Sequence, residues 1–280
     1  MERRKFIRNE IDEVLRTVTK AFTTRSEGYI VGGLAMMHHG VKLATKDVDI
    51  VFRSRGTTLQ FVRTLERLGF RDGSPDTARE KKGKNFWKME GPGGMRFDVF
   101  CLSVCNCLVV SESMAMRAGK YPIAGTLSYR VISPEDIFLF KSITDREDDL
   151  ADMRMLAGMG LDWTVIEKEL RSQPNFWNWI AHHYIKLIEL ENAYGIRSPL
   201  KRRFRPDAEI AAGMACLRPD LEKGPLTVRD ARVILKERSD AFGAKVLRTM
   251  CELGIAQGRA GKFYYRRERT ERRKGSARAD

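Results

Sequence analysis

Apolar positions change their spacing along this chain, and each change marks a different element. From Phe6 to Phe22, Ile7, Ile11, Val14, Leu15, Val18 and Phe22 recur every three or four residues, which predicts an amphipathic helix. The continuous run Tyr29-Ile30-Val31 predicts a buried strand that stops at Gly32-Gly33, and a short apolar helix follows. Asp47-Val48-Asp49-Ile50-Val51-Phe52 alternates with a period of two, so as a strand it places Asp47 and Asp49 on one face and Val48 and Ile50 on the other. A stripe of Leu59, Val62, Leu65 and Leu68 predicts a crossover helix from Thr57 that Gly69 ends. Arg71 to Gly83 is polar without a period and reads as a loop at the rim of a site. Asn85–Glu90 and Met95–Cys101 predict a hairpin around Gly91-Pro92-Gly93-Gly94. Gly125–Ile132 predicts a further strand, and Ser133-Pro134-Glu135-Asp136 carries the cap, first-turn proline and carboxylate of a helix start.

The later part of the chain is helical in pattern. Leu161 to Tyr194 is helical and rich in aromatics, which serve core packing. The basic run Pro199 to Pro206 then marks a change of composition and a domain boundary. Thr227 caps a helix to about Leu235, and Asp240 begins another in which Phe242, Val246, Met250 and Leu253 face inward. A hairpin is expected from Ala256 onward. This order resembles a small winged helix-turn-helix domain, whose second helix binds the major groove of DNA. The resemblance implies nucleic-acid contacts by Lys245, Arg248 and Thr249 on that helix, and by Arg259 and Lys262 on the hairpin. The organisation read from these signals is residues 1–160, a helical segment and basic connector at 161–206, the winged domain at 207–267, and a basic, disordered tail at 268–280.

Composition narrows the class. With 280 residues and 42% hydrophobic positions the chain can build real cores. No stretch approaches the ~20 apolar residues of a membrane span, and the start lacks a signal-peptide core, so a cytoplasmic protein is expected. Cys101, Cys105 and Cys107 cluster without a matching second half, so packing rather than zinc is their reading, and the neighbouring His38-His39 and His182-His183 cannot face one ion. Lys plus Arg number 51 against 37 Asp plus Glu, a net charge of +14, which favours polyanionic partners, RNA or DNA first.

Candidate chemistry concentrates between Gly28 and Phe52. Gly32-Gly33 lets the backbone approach a phosphate with no Cβ in the way. Two carboxylates two residues apart on a strand repel, and a divalent cation offsets that repulsion. Nucleotidyl transfer needs little more from a protein than metal ions and donors that align a triphosphate. Asp98, between Phe97 and Val99, needs either a basic partner such as Arg96 or a place in the site. Lys141, on an otherwise apolar helix, either snorkels to solvent or enters the site. Asp149 and Asp152 share a helix face, where they either serve the site or pair with Arg146.

The Gly-Gly turn followed by Asp-x-Asp, in GGLA…HG…TKDVD, resembles the DNA polymerase beta-like nucleotidyltransferase superfamily. It is most similar to the small prokaryotic branch that includes abortive-infection type nucleotidyltransferase toxins, over residues 1–160. SPEDIFLFKSITDREDDLADM resembles the same branch further along. The resemblance implies an α/β (α+β) nucleotidyltransferase fold, a mixed sheet flanked by helices, that transfers a nucleoside monophosphate from an NTP with Mg²⁺ or Mn²⁺. It implies Asp47, Asp49 and Asp98 as metal ligands and catalytic carboxylates, with Asp98 as a metal ligand or general base. By the same resemblance Gly32, Gly33 and Lys141 bind the nucleotide, and Thr45, Arg146, Asp149 and Asp152 support the site. The acceptor is RNA, particularly a tRNA end, or a partner protein of a toxin–antitoxin pair. The rival reading is a nucleic-acid-binding regulator or antitoxin-like protein with an inactive nucleotidyltransferase fold, against which the intact Asp47, Asp49 and Asp98 argue.

Overall fold

A seven-stranded mixed sheet organises the first of two compact units, which divide between Arg203 and Phe204. The computed structural model describes residues 3–74, 84–146, 148–237 and 239–266. In chain order the strands of this unit are β1 (Phe6–Ile7), β2 (Ser26–Val31), β3 (Ala44–Thr45), β4 (Val48–Phe52), β5 (Arg71–Asp72), β6 (Phe86–Glu90), β7 (Arg96–Cys101), β8 (Ser103–Val104), β9 (Leu108–Val109), β10 (Gly119–Lys120) and β11 (Leu127–Val131). The sheet order is β10-β11-β2-β4-β7-β6-β5. Its middle strand, β4, pairs antiparallel with β2 and parallel with β7. Two small pairs, β1 with β3 and β8 with β9, stand outside the sheet.

Side-chain alternation gives the sheet two unlike faces. Phe52 of β4 and Phe97 of β7 meet Phe61 of helix α3 (Arg55–Arg67), with ring centroids 4.8 and 5.9 Å apart. That face also carries Val48 and Ile50, with α1 (Arg8–Ala21) packed beside α3. The opposite face carries Asp49 and, in register with it, Asp98. Helix α2 (Gly32–His38) follows β2 directly. The remaining helices of the unit are α4 (Glu112–Arg117), α5 (Pro134–Lys141), α6 (Asp149–Ala157), α7 (Trp163–Ser172) and α8 (Phe176–Tyr194). Local chemistry sets their starts: Ser54 caps α3 through the Thr57 amide at 3.1 Å, and Ser133 caps α5 through the Asp136 amide at 3.3 Å. A buried charge network ties α4, α5 and α7 together. Arg117 donates to Asp136 at 2.6 Å and to Glu169 at 2.7 Å, and Glu169 also accepts from Ser111 and Ser113.

Several expectations are corrected here. The helix anticipated from Phe6 begins at Arg8, because Phe6 and Ile7 pair with Thr45 and Ala44. Arg71 and Asp72 form an edge strand against β6 rather than loop, while residues 75–83 of that stretch lie outside the described residues. The stretch from Leu161 to Tyr194 is helical as read, in the two helices α7 and α8.

The second unit contains most of α9 (Leu200–Lys223), then α10 (Val228–Ile234), α11 (Asp240–Glu252), β12 (Ala256–Arg259) and β13 (Lys262–Tyr265). The basic connector anticipated at Pro199–Pro206 is instead helical from Leu200, with Pro206 inside α9. A proline in a helix interior costs about 3 kcal/mol. The stripe Leu200, Phe204, Ala208 and Ala211 is buried along the same helix, and each large side chain among them contributes about 1.5–3 kcal/mol, so the helix continues. Thr227 and Asp230 cap α10 reciprocally. Leu226 exchanges backbone hydrogen bonds with Phe263 at 2.9 and 2.8 Å, adding a third segment to the β12–β13 hairpin. Thr249, expected to point outward from α11, is buried and donates to the Lys245 carbonyl at 3.1 Å, while Leu253, expected inside, is exposed. The tail from residue 268 lies outside the described residues. Among the described residues no helix is long and apolar enough to cross a membrane.

Candidate active site

The diglycine turn is required by what it touches. A Cβ on Gly32 would lie 2.1 Å from Asp49 Oδ2, and Gly32 holds a φ of +60°, so only glycine lets β2 turn into α2 against that carboxylate. A Cβ on Gly33 would lie 2.2 Å from Thr45 Oγ1. Thr45 in turn donates to the Asp47 carbonyl at 3.1 Å, fixing the approach to β4. Thus Gly32, Gly33, Thr45, Asp47 and Asp49 form one packed set.

Three carboxylates meet there in unequal circumstances. Asp98 Oδ2 accepts from Arg96 Nη2 at 2.7 Å, and the same nitrogen donates to Asp47 Oδ2. Arg3 reaches Asp47 Oδ2 as well, at 3.3 Å. Asp98 Oδ1 is buried with no hydrogen-bond partner among the described residues. Asp49, on the central strand, has neither a hydrogen bond nor an ion pair among them. Burial first, and then the charges of Asp47 and Asp98, push the Asp49 carboxyl up to about 7, with Arg146 and Lys141 opposing. Burial likewise raises Asp98, against the charge of Arg96.

Lys141 is placed differently from a free phosphate ligand. Its Nζ lies 2.8 Å from both Asp149 Oδ1 and Asp152 Oδ2, and Lys42 Nζ lies 2.5 Å from Asp152 Oδ1. Burial works against the lysine charge, but Asp152 and Asp149 outweigh it and raise its pKa. Asp149 Oδ2 also accepts from Thr144 Oγ1 and from the Arg146 amide. So Asp149 and Asp152 pair with Lys141 and Lys42, not with the Arg146 side chain. That side chain is partly exposed and faces the other acids: although its burial opposes the charge, Asp49, Asp98, Asp149 and Asp47 raise its pKa.

A cavity of about 350 Å³ reaches Asp49, while Asp47 and Asp98 are not among its lining residues. Gly32, Asp49, Lys141, Arg146 and Asp149 are among its polar lining, and Phe86, Phe100 and Phe140 add an apolar wall. The β8–β9 hairpin closes one edge, through a turn in which Cys105 and Asn106 both hold positive φ. Neither the aromatic wall nor this turn was anticipated. The turn lacks the glycine that usually announces such a conformation, and the phenylalanines read simply as strand and helix core.

The metal expected from the resemblance can be tested against these side chains. Among the described residues no three His, Cys, Asp or Glu side chains converge closely enough to hold an ion as they stand. Asp49 and Asp98 nevertheless fit one, being side by side in register with an unpartnered oxygen on Asp98 and no cation bonded to Asp49. Asp47 stands beside them with its Oδ2 held by Arg96 and Arg3. The five cysteines are free, and Cys101 and Cys107 are buried.

No protein-family model matches the chain, and no curated protein matches it. Solved structures do show likeness. A lincosamide antibiotic adenylyltransferase with lincomycin bound is 14% identical with a TM-score of 0.40, over 56% of this chain and 99% of its own. A candidate nucleotidyltransferase from H. pylori is 12% identical with a TM-score of 0.36, over 86% of this chain and 96% of its own. A CCA-adding enzyme in complex with CTP is 14% identical with a TM-score of 0.28, over 85% of this chain and 65% of its own. Likenesses this distant assign neither substrate nor residue roles, which rest on the site itself.

Proposed function

We propose that the first unit transfers a nucleoside monophosphate from an NTP to a hydroxyl-bearing acceptor, the acceptor oxygen bonding to the α-phosphorus as the bond to the departing pyrophosphate breaks, using Mg²⁺ or Mn²⁺ held by Asp49 and Asp98 and completed by Asp47. The observation that carries this reading is the buried pair Asp49 and Asp98, aligned on adjacent strands and incompletely neutralised, on the sheet face that bears the cavity. When bound, the ion would supply charge stabilisation to the transferring phosphoryl group. Gly32 and Arg146 line the cavity, and Arg146 offers a planar, charge-assisted donor to phosphate oxygens. Phe86, Phe100 and Phe140 give the base an apolar wall and exclude water. Asp98 Oδ1, which lacks a partner, accepts the proton of the attacking hydroxyl. RNA, particularly a tRNA end, is the acceptor we favour on charge, and a partner protein of a toxin–antitoxin pair is the alternative. Dependence on NTPs suits the cytoplasm.

A second reading has one observation in its favour. Arg96 already neutralises Asp47 and half of Asp98, as it would in an inactive fold kept as a scaffold. Incubating the full chain with each α-labelled NTP, Mg²⁺, and cellular RNA or protein separates the two. Label in one fraction, lost in Asp49→Asn, supports transfer; no label from any NTP leaves the scaffold reading.

A further inference from the structure

Strand register separates two ends of the cavity in the first unit. Asp49 pairs with Asp98, and Phe100 follows Asp98 by two residues on the same face of β7, about 7 Å along the strand. Phe86 of β6 stands directly opposite Phe100, with ring centroids 5.0 Å apart and a tilt of 38°. Asn85 precedes Phe86, and its side-chain amide is hydrogen-bonded to that of Asn106, in the turn between β8 and β9. Both asparagines line the cavity, as do the two rings.

The turn that carries Asn106 is fastened without this contact. Gln173 Oε1 accepts from the Val109 amide at 2.9 Å, its Nε2 donates to the Val109 carbonyl at 3.3 Å, and Asn175 Nδ2 donates to the Asn106 carbonyl at 3.1 Å. Those bonds reach the hairpin backbone, in which Asn106 holds a φ of +55°. A hydrogen bond between two side-chain amides within reach of water adds little to stability, because water offers both groups the same bonds. It does leave a complete NH2 group on one residue and an open carbonyl oxygen on the other, whichever amide is the donor. A donor beside an acceptor complements adenine, whose 6-amino group and N1 are neighbours, and Phe86 and Phe100 offer apolar rings on which a base stacks. Guanine presents its N1–H and 2-amino group together and calls for a carboxylate or a second acceptor. The acids of the cavity lining are spoken for, since Asp49 stands at the other end and Asp149 is bonded to Lys141. Cytosine offers the same edge as adenine, but on a smaller ring.

We propose, resting on the reading of this cavity as the NTP site, that Asn85 and Asn106 select adenine, bonding its 6-amino group and N1 while Phe86 and Phe100 hold its face. The test is calorimetric titration of the full chain with ATP, GTP, CTP and UTP in Mg²⁺, alongside the triphosphate of purine riboside, which lacks the 6-amino group. ATP is expected to bind about tenfold more tightly than any of the others, the lower end of what one bidentate amide–base contact contributes. Asn106→Gly removes the amide but suits the positive φ, so this variant is expected to melt no lower than the parent. Combined with Asn85→Ala it is expected to weaken ATP about tenfold and to leave the purine riboside triphosphate unchanged. A preference for ATP that survives in the double variant, or equal binding of the four nucleotides by the parent, overturns base selection and leaves transfer standing. A melting temperature that falls in Asn106→Gly together with ATP affinity also overturns it, and assigns the amides to holding the hairpin. Should the parent bind no nucleotide, the transfer reading falls and base selection falls with it.

Discussion

Two clusters of buried acids lie within the same unit, and one is closed while the other is open. Asp149 and Asp152 are matched by Lys141 and Lys42, and Asp149 also by Thr144 and the Arg146 amide. Asp152 Oδ2 lies 2.8 Å from Lys141 Nζ, which is close enough for an ion pair though off the line of a hydrogen bond. Asp47, Asp49 and Asp98 share Arg96 and a glancing Arg3, and Asp49 is left with field alone. Burial of charge is common to both clusters, so burial does not mark the reactive one. Incomplete compensation does, because a set that balances itself has nothing to gain from a ligand.

The comparison breaks most visibly at Lys141. Lys141→Ala leaves Asp152 with Lys42 alone and Asp149 with no cation beside Thr144 and the Arg146 amide, and a loss of about 3–5 kcal/mol is expected in urea unfolding. A loss under about 1 kcal/mol would show that the cluster is not closed. At the open cluster the sign reverses. Asp49 titrates near 7 in the folded chain against an ordinary value of 3.8, so between those values the folded state holds a proton that the unfolded state has released. Stability from this group is present at low pH and is lost as pH rises through about 7. Asp49→Asn is therefore expected to raise the melting temperature at pH 8, by about 2–4 °C for each kcal/mol relieved, while removing transfer. An equal melting temperature for parent and variant at pH 5 and pH 8 would deny that Asp49 is strained by its neighbours.

Arg96→Met sharpens the contrast, since it vacates the position between Asp47 and Asp98. Mn²⁺ affinity read by electron paramagnetic resonance is expected to rise roughly tenfold, the order of one charged hydrogen bond given up to the ion. Lys42→Met, at the closed cluster, is expected to leave that affinity alone. A gain in both variants would reduce the effect to net charge. The smallest effect belongs to Arg3, whose side chain is 48% exposed. Arg3→Ala is expected to change stability by less than about 0.5 kcal/mol, and a larger loss in thermal melting would place Asp47 among the compensated acids.

Much of this was legible where chemistry is local. Alternation from Asp47 to Phe52 separated the acidic face from the apolar one, and the caps at Ser133 and Thr227 followed from side chains within three residues. Asp98 carried two readings, a pairing with Arg96 or a place in the site, and the structure shows the pairing at one oxygen and leaves the other unpartnered. What stayed hidden depends on contacts between distant segments. Lys42 with Asp152 and Arg3 with Asp47 share no helical or strand spacing that a pattern could reveal. Pro206 misled because its local cost is visible in sequence, whereas the burial of Phe204 that outweighs it is not.

Because β4 and β7 run parallel, no tight turn can bring Asp49 and Asp98 together. The chain passes through α3, β5 and β6 before their register exists, so during synthesis Asp49 leaves the ribosome hydrated and free of its neighbour. The antiparallel pairing of β4 with β2, across a much shorter segment, is expected to close first. Repulsion between the acids is thus imposed late in folding, when the parallel rung zips. A substitution that relieves it acts mainly by slowing the rate at which the finished sheet opens, and leaves the early steps of folding as fast as before.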